Sequence, residues 1–356
     1  MRWWRWLLVV VGCAIVIMVA LRFLGPTIGE RVAQRGQTKQ ADCQSNANPV
    51  FTAGFTDLEA IRSVAPIGGV TVGSPARSYI QVEGDTADTR SLAPVYAPTD
   101  ATVEGIVYAR RNPDDPTAPG EYRLDLRVSC EVTIHFDHLD DVVASLKSLT
   151  PSEPADNTRE AVRVDVPVRA GDVLGHSNGT TQAGTWDFYL LNTAVTVPHV
   201  NPARWQWEQT TIADCPYDYF TEELKDQYYA AFRSQDGQPL ESPDCGSPSH
   251  DVAGTASGGW FQGESTNASG RWLEIGNVNG KVELVVRNAG THELSIRDYD
   301  TTTMPENLTI GQDACYTDRS NWAFVRLDTD TQLSLASGTG SCPTDFPAAQ
   351  AEAWVR

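Results

Sequence analysis

Positive charge is scarce in this chain: 27 lysines and arginines stand against 46 aspartates and glutamates, a formal net charge of -19 at pH 7. Without a basic excess there is little to release phosphate counterions, which argues against nucleic acid or an anionic lipid surface as partner. Acidity spread along a chain in this way serves solubility. No C-x-x-C pair occurs, so a zinc knuckle is not expected; the cysteines outside the N-terminal segment are Cys43, Cys130, Cys215, Cys245, Cys315 and Cys342. An even, scattered set of this kind fits disulfides in an oxidising compartment. No internal repeat at a period of roughly 20 to 50 residues is visible, which sets solenoids and propellers aside. Histidine is also rare, with 6 residues in 356.

What is present begins with an apolar run. MRWWRWLLVVVGCAIVIMVALRFLG carries Arg2 and Arg5, has no charge from Trp6 to Leu21 and closes at Arg22. The run is slightly shorter than the ~20 residues that span a bilayer, but an arginine can snorkel, and Phe23 and Leu24 extend the apolar surface. Trp3, Trp4 and Trp6 suit a membrane interface, and the leading arginines place the N-terminus in the cytoplasm. The expectation is a single-pass signal anchor over residues 1–24, with the bulk of the chain extracytoplasmic. A cleaved signal peptide remains an alternative, although no small-x-small site is clear, and VVGC at Val10 to Cys13 faintly resembles a lipoprotein box. Pairing neighbours within domains gives Cys43–Cys130, Cys215–Cys245 and Cys315–Cys342 as the expected bridges, with Cys13 free; this is one connectivity among the many that six cysteines allow.

Residues 25–50 are polar and without apolar periodicity, and read as a stalk. Residues 51–207 alternate short β-rich runs with Pro and Gly punctuation, so a mostly β domain is expected. Within CEVTIHFDHL, Val132, Ile134 and Phe136 share one face, and Thr133, His135 and Asp137 share the other. Strict alternation places His138 on the Phe136 side, away from His135. DDVVASLKSL, residues 140–149, reads as a short amphipathic helix. Residues 208–253 supply a second helix, with Phe220, Leu224, Tyr228 and Phe232 in one apolar stripe, followed by a linker rich in Pro, Gly and Ser. Residues 254–356 break into short strand-like runs separated by turns such as Asn279-Gly280, as in a small antiparallel barrel or sandwich.

APVYAPTDATVEGIVYA, CEVTIHFDHL, VRAGDVLGHSNG and GTWDFYL follow one another between Ala65 and Leu191. In that order they resemble the blocks of the peptidase M23 family (LytM-like, the duplicated hybrid motif fold). The resemblance implies a barrel-sandwich β domain with a groove. In active members a histidine, an aspartate and the second histidine of a His-x-His element hold one zinc, which polarises the scissile carbonyl and acidifies a water. This chain departs from that pattern. Phe136 and His138 match the family's Tyr-x-His element, but Thr185 and Asp187 stand where His-x-His is expected. Ser78 appears at the upstream histidine position, and the ligand aspartate is lost or shifted to Asp85 or Asp88. Trp186 takes the place of the apolar residue between the two family histidines. His176 and His199 read as surface residues. The VRAGDVLG block also resembles biotinyl and lipoyl carriers, which present a lysine on a tight hairpin; Lys147 sits in a helix-like segment instead. A nucleophilic serine is not expected.

Anchor, degenerate M23-like domain and trailing β domain together resemble membrane-anchored bacterial envelope proteins. With the family's ligands missing, the expectation is a pseudoenzyme with no metal and no cofactor, vestigial at His138 and replaced at Ser78, Thr185 and Asp187. His138, Trp186 and Asp187 are the candidate binding residues, for a cell-wall glycan, peptide or protein partner. Two alternatives stay open: an M23-like metallohydrolase using Asp187 and His138 around an altered metal site, and a purely structural module whose groove is filled.

Overall fold

The computed structural model describes residues 43–69, 71–73, 76–84, 92–110, 117, 119–156, 161–179, 184–234, 237–240, 244–278 and 280–356. The expected membrane span, Cys13, residues 25–42 of the stalk, Asp85 and Asp88 lie outside them. Among the described residues no helix is long and apolar enough to cross a membrane. The chain divides into Met1–Ser45 and Asn46–Arg356, and the architecture below is that of the second unit.

Antiparallel β-structure dominates. The strands of the N-terminal half are β1 (Ile61–Ala65), β2 (Ser78–Val82), β3 (Ala93–Tyr96), β4 (Ala101–Arg110), β5 (Gly120–Arg127), β6 (Val132–Leu139), β7 (Asp141–Val142), β8 (Val162–Val168), β9 (Val173–Ser177), β10 (Trp186–Asn192) and β11 (Ala213–Asp214). One sheet runs β1-β2-β10-β6-β5-β4-β8, with β11 on β10, and a smaller sheet runs β3-β9-β7. One apolar core contains residues of both: Ile134, Phe136, Phe188 and Leu124 from the large sheet, and Val95, Leu174 and Val142 from the small one. The expected helix over 140–149 shrinks to Ala144–Lys147, because Val142 is drawn into the small sheet opposite Gly175.

The segment at 208–253 is more than a connection. Tyr217, Phe220, Tyr228 and Phe232 are buried in the same core. Phe55 stacks on Tyr228 at 4.6 Å and lies 4.8 Å from Phe188. Cys215 and Cys245 are bridged, which closes the segment on itself. At the end of the polar stretch 25–50, Asn46 accepts a hydrogen bond from Ser129 and Ala47 accepts one from Asn192, so these residues are tied to the sheet domain.

The C-terminal strands are β12 (Gly258–Phe261), β13 (Arg271–Val278), β14 (Lys281–Asn288), β15 (Thr291–Asp298), β16 (Asp313–Thr317), β17 (Asn321–Thr329), β18 (Gln332–Thr339) and β19 (Glu352–Val355). They pair antiparallel in the order β15-β14-β13-β12-β19-β18-β17-β16, a nearly closed barrel. Val278 pairs with Lys281 across a two-residue turn, and Gly280 has the positive φ of 80° that such a turn demands. At the open seam the Asp298 carboxylate accepts from the amides of Asp300 and Thr301 on its own side and from Thr317 across it. Cys315 and Cys342 form the expected bridge, and Cys43 and Cys130 are each in the disulfide state.

The barrel's outer face is covered where it meets the N-terminal half. Trp205 packs edge-on to Phe261 and Trp272, and a Cβ on Gly259 would collide with the Trp205 ring. The amide of Val72 donates to Glu283, and Arg287 donates to the carbonyl of Gly73. Two groups in this region are held neutral. Burial pushes the His250 imidazole down to about 4, with Asp251 opposing, and burial, reinforced by Asp251, raises the Glu274 carboxyl well above the usual carboxylate range.

Their linkages to folding have opposite signs. The unfolded chain binds the extra proton at His250 between pH 4 and 6.5, so that contribution to stability falls as pH falls. The folded chain binds the extra proton at Glu274 above pH 4.5, so that contribution falls as pH rises. Between pH 4.5 and 6.5 the two slopes oppose each other. Relative to wild type, His250→Gln should therefore make the slope of stability against rising pH more negative through this window, and Glu274→Gln should make it more positive, each by up to about 1.4 kcal/mol per pH unit. Urea unfolding of both variants at pH 4.5, 5.5 and 6.5 checks it; parallel profiles would remove the argument.

Candidate functional site

The site lies on the polar face of the large sheet, opposite the core. Register aligns Tyr79 of β2 with Asp187 of β10, and Asp187 with Asp137 of β6; in the next polar row Tyr189 aligns with His135, and His135 with Asp125 of β5. These side chains point the same way because each is two residues along its strand from its neighbour in the other row.

His138 breaks the alternation. Between β5 and β6 the register shifts, Tyr122 facing Leu139 while Leu124 faces Phe136, and His138 takes a positive φ of 66°. That is a bulge: an added residue turns the strand, so the side chain leaves the Phe136 side and joins the polar face. The expectation that His138 shares the face of Phe136 is corrected here, and with it the separation of His138 from the face of His135. Its Nδ1 lies 3.0 Å from Glu121 Oε2, and its Nε2 lies 3.4 Å from Asp187 Oδ2. The amide of His138 donates to Asp137 Oδ1 at 3.0 Å, which braces the bulge.

Arg77 completes the cluster. A single guanidinium nitrogen, Nη1, donates to Asp137 Oδ2 at 2.8 Å and to Asp187 Oδ2 at 2.5 Å. Burial alone would weaken this guanidinium, but the carboxylates of Asp187 and Asp137 raise its pKa well above the usual arginine value. Tyr79 and Tyr189 are held as neutral phenols, their pKa values raised by burial and, respectively, by Asp187 and Asp137. The second row is also paired. His135 Nδ1 lies 2.7 Å from Asp125, its ring stacks on Tyr189 at 4.4 Å, and Arg123 binds the same aspartate at 3.0 Å. Burial alone would raise the Asp125 pKa, but His135 and Arg123 hold it below the carboxylate range.

The other expected positions fall elsewhere. Ser78 is wholly buried, donates to the carbonyl of Ala65 at 2.8 Å and shares a 2.6 Å hydrogen bond with Tyr217. It lies on the core face, one residue out of phase with the polar row. Trp186 is also wholly buried, against Phe55 and Phe136. Thr185 precedes β10 and is half-buried. His199 is buried rather than superficial: Nε2 meets the carbonyl of Thr210 at 2.6 Å, Nδ1 is 3.3 Å from Asp251, and the ring stacks on Trp205 at 4.3 Å. The letters G-x-S-x-G do occur, at Gly175 to Gly179. Ser177 there is buried at the end of β9, its hydroxyl bonded to the carbonyl of His138 and to Asp140, so it presents no nucleophile.

Arg77, Tyr79, Glu121, Arg123, Asp125 and Tyr189 are the site members that the sequence reading passed over. Only their strand phase marks them, since each lies on the polar side of its strand or just before it. Asp137, His138 and Asp187 each bring one ligand atom within 4.8 Å of the others. One imidazole and two carboxylates are donors that zinc accepts. As arranged they do not fit it, because the Oδ2 atoms of both aspartates are already bound by Arg77. No protein-family model matches the chain, and no curated protein matches it significantly.

Proposed function

We propose that this chain is a membrane-anchored, extracytoplasmic pseudo-peptidase of M23-like build that serves as a non-catalytic binding or scaffold module of the cell envelope, recognising a glycan, peptide or protein. The observation that carries the reading is the pairing of charges across the polar face: Arg77 with Asp187 and Asp137, Asp125 with Arg123 and His135, and Arg127 with Glu104 at 2.6 Å. Hydrolysis of an amide needs an activated water and an electrophile at the carbonyl oxygen. Here the carboxylate that would activate or ligate is neutralised by a guanidinium, and the serines at 78 and 177 are spent on structural bonds. Such a surface suits recognition of a polar ligand by exchange of hydrogen bonds, with the partly buried Arg123, Asp125 and Glu121, each with a minor share of its side chain open to water, at its rim. The disulfides and the apolar N-terminal run support the location.

The second reading, a metallohydrolase with an altered site, is favoured by one observation alone, the gathering of Asp137, His138 and Asp187. The purified protein separates the two. We expect it to leave cell-wall peptide fragments intact and to hold zinc below one equivalent, with His138→Ala unchanged in both. Tight one-to-one zinc with cleavage that His138→Ala abolishes would restore the enzyme.

A further inference from the structure

We propose that Arg77 is the resident cation of this site: its guanidinium occupies the position between Asp137 and Asp187 that a divalent metal would take, and keeps a metal-capable donor set closed to metal. The inference rests on the reading of the chain as a pseudo-peptidase and adds what replaced the metal.

Three features of the geometry carry it. First, both aspartate bonds come from one nitrogen of Arg77, not from the two-pronged fork that arginine ordinarily offers a carboxylate. At this site the guanidinium behaves as a point cation shared by two oxygens of different residues, which is the role of a metal ion. Second, His138 is oriented as a ligand is. Nδ1 meets Glu121 Oε2 at 3.0 Å and Nε2 faces Asp187 Oδ2 at 3.4 Å, so that with Nδ1–H given to Glu121 a cation standing between Nε2 and Asp187 would find both as donors. A carboxylate behind the histidine is the usual device for fixing a metal-binding tautomer. Third, His138 is held at a backbone conformation unfavourable for a residue with a Cβ, and the Asp137 side chain caps its amide. Strain of this kind persists where the surroundings over-determine a side chain's direction. The bulge serves to bring His138 to the two aspartates, which a simple ion pair between Arg77 and Asp187 would not need.

Charge makes the competition direct. Asp187 is almost wholly buried, at 2 % side-chain exposure. Two carboxylates that share one cation in such a place repel each other once it is gone. Removing the guanidinium while keeping the apolar stem therefore leaves two carboxylates and an imidazole gathered around a place that a divalent cation can take.

The test compares the full chain with Arg77→Met, using Co2+ as probe because its visible absorption reports the coordination around it. The wild-type protein is expected to take up Co2+ weakly and without a strong visible band. Arg77→Met is expected to bind one equivalent about tenfold or more tightly than wild type and to gain thermal stability on Co2+ addition. Arg77→Lys, which keeps a cation in place, should stay refractory. Adding Asp187→Asn or His138→Gln to Arg77→Met should abolish the gain. If Arg77→Met alone does not fold, Arg77→Gln, neutral but still hydrogen-bonding, is titrated in its place. Equal Co2+ affinity in wild type and the neutral variants, or a gain that survives His138→Gln, overturns the inference. Neither outcome bears on whether the protein cleaves cell-wall peptides, so failure here and failure of the proposed function are read from different experiments.

Discussion

Replacing Trp186 with alanine is expected to lower the free energy of unfolding by about 3–5 kcal/mol, the range for removal of a fully buried large aromatic side chain. Trp186 heads β10, and its ring lies edge-on to Phe55 at 5.6 Å and 6.1 Å from Phe136. Phe55 in turn contacts Phe188 and Tyr228, so the void would open at the centre of the aromatic nest where the large sheet meets the segment at 208–253. Trp186→Phe separates volume from polarity. The indole Nε1 has no hydrogen-bond partner among the described residues, so phenylalanine removes an unsatisfied donor along with the second ring. The two effects oppose, and the cost should drop to about 1 kcal/mol. Urea denaturation with unchanged m-values reads both variants. A Trp186→Ala protein of wild-type stability that had lost a ligand would place this residue on the binding surface instead.

How far such features are legible depends on the range over which they are determined. In β6, alternation put Val132, Ile134 and Phe136 inside and Thr133, His135 and Asp137 on the other face, and the structure has them so. Period-2 patterning is local, written by whether each side chain meets the core. The same rule misplaced His138, because a bulge adds a residue without altering composition. Histidine at positive φ is uncommon but tolerated, and nothing in FDHL signals it. Arg77 could not be found from the sequence for another reason. Its partners lie 60 and 110 residues away, and only the order of β2, β10 and β6 in the sheet brings them together. Trp186 and Asp187 show a third limit. All seven residues of β10 are buried, since Arg77, His135 and the segment around Ala213 cover the face that alternation marks as outward. Alternation tells which of two faces a residue takes, and says nothing about whether that face reaches water.

That burial makes Asp187 the position where site and stability meet. Asp187→Ala is expected to cost about 3–5 kcal/mol, because it removes the more buried of the two carboxylates that hold the guanidinium out of water. Arg77 would retain Asp137, which at 14 % exposure is the more solvated partner. Asp187→Asn keeps the shape and one acceptor while losing the charge, and should cost less, about 1–3 kcal/mol. If the pair is what matters, Arg77→Met and Asp187→Leu should not add: the second substitution costs less once the first has removed the charge it was answering, with a coupling of roughly 1–3 kcal/mol. Salt discriminates this pair from the exposed ones. Arg319 and Asp300, at 83 % and 73 % exposure, should contribute nothing measurable in high salt, whereas the Arg77–Asp187 coupling should persist. Unfolding measured at low salt and at about 1 M NaCl, where the screening length falls to roughly 3 Å, decides between them. A coupling that vanished in high salt would mean that water reaches Asp187. The carboxylate would then be available to a ligand, and Arg77 would be a loosely held counter-ion rather than the fixed centre of the site.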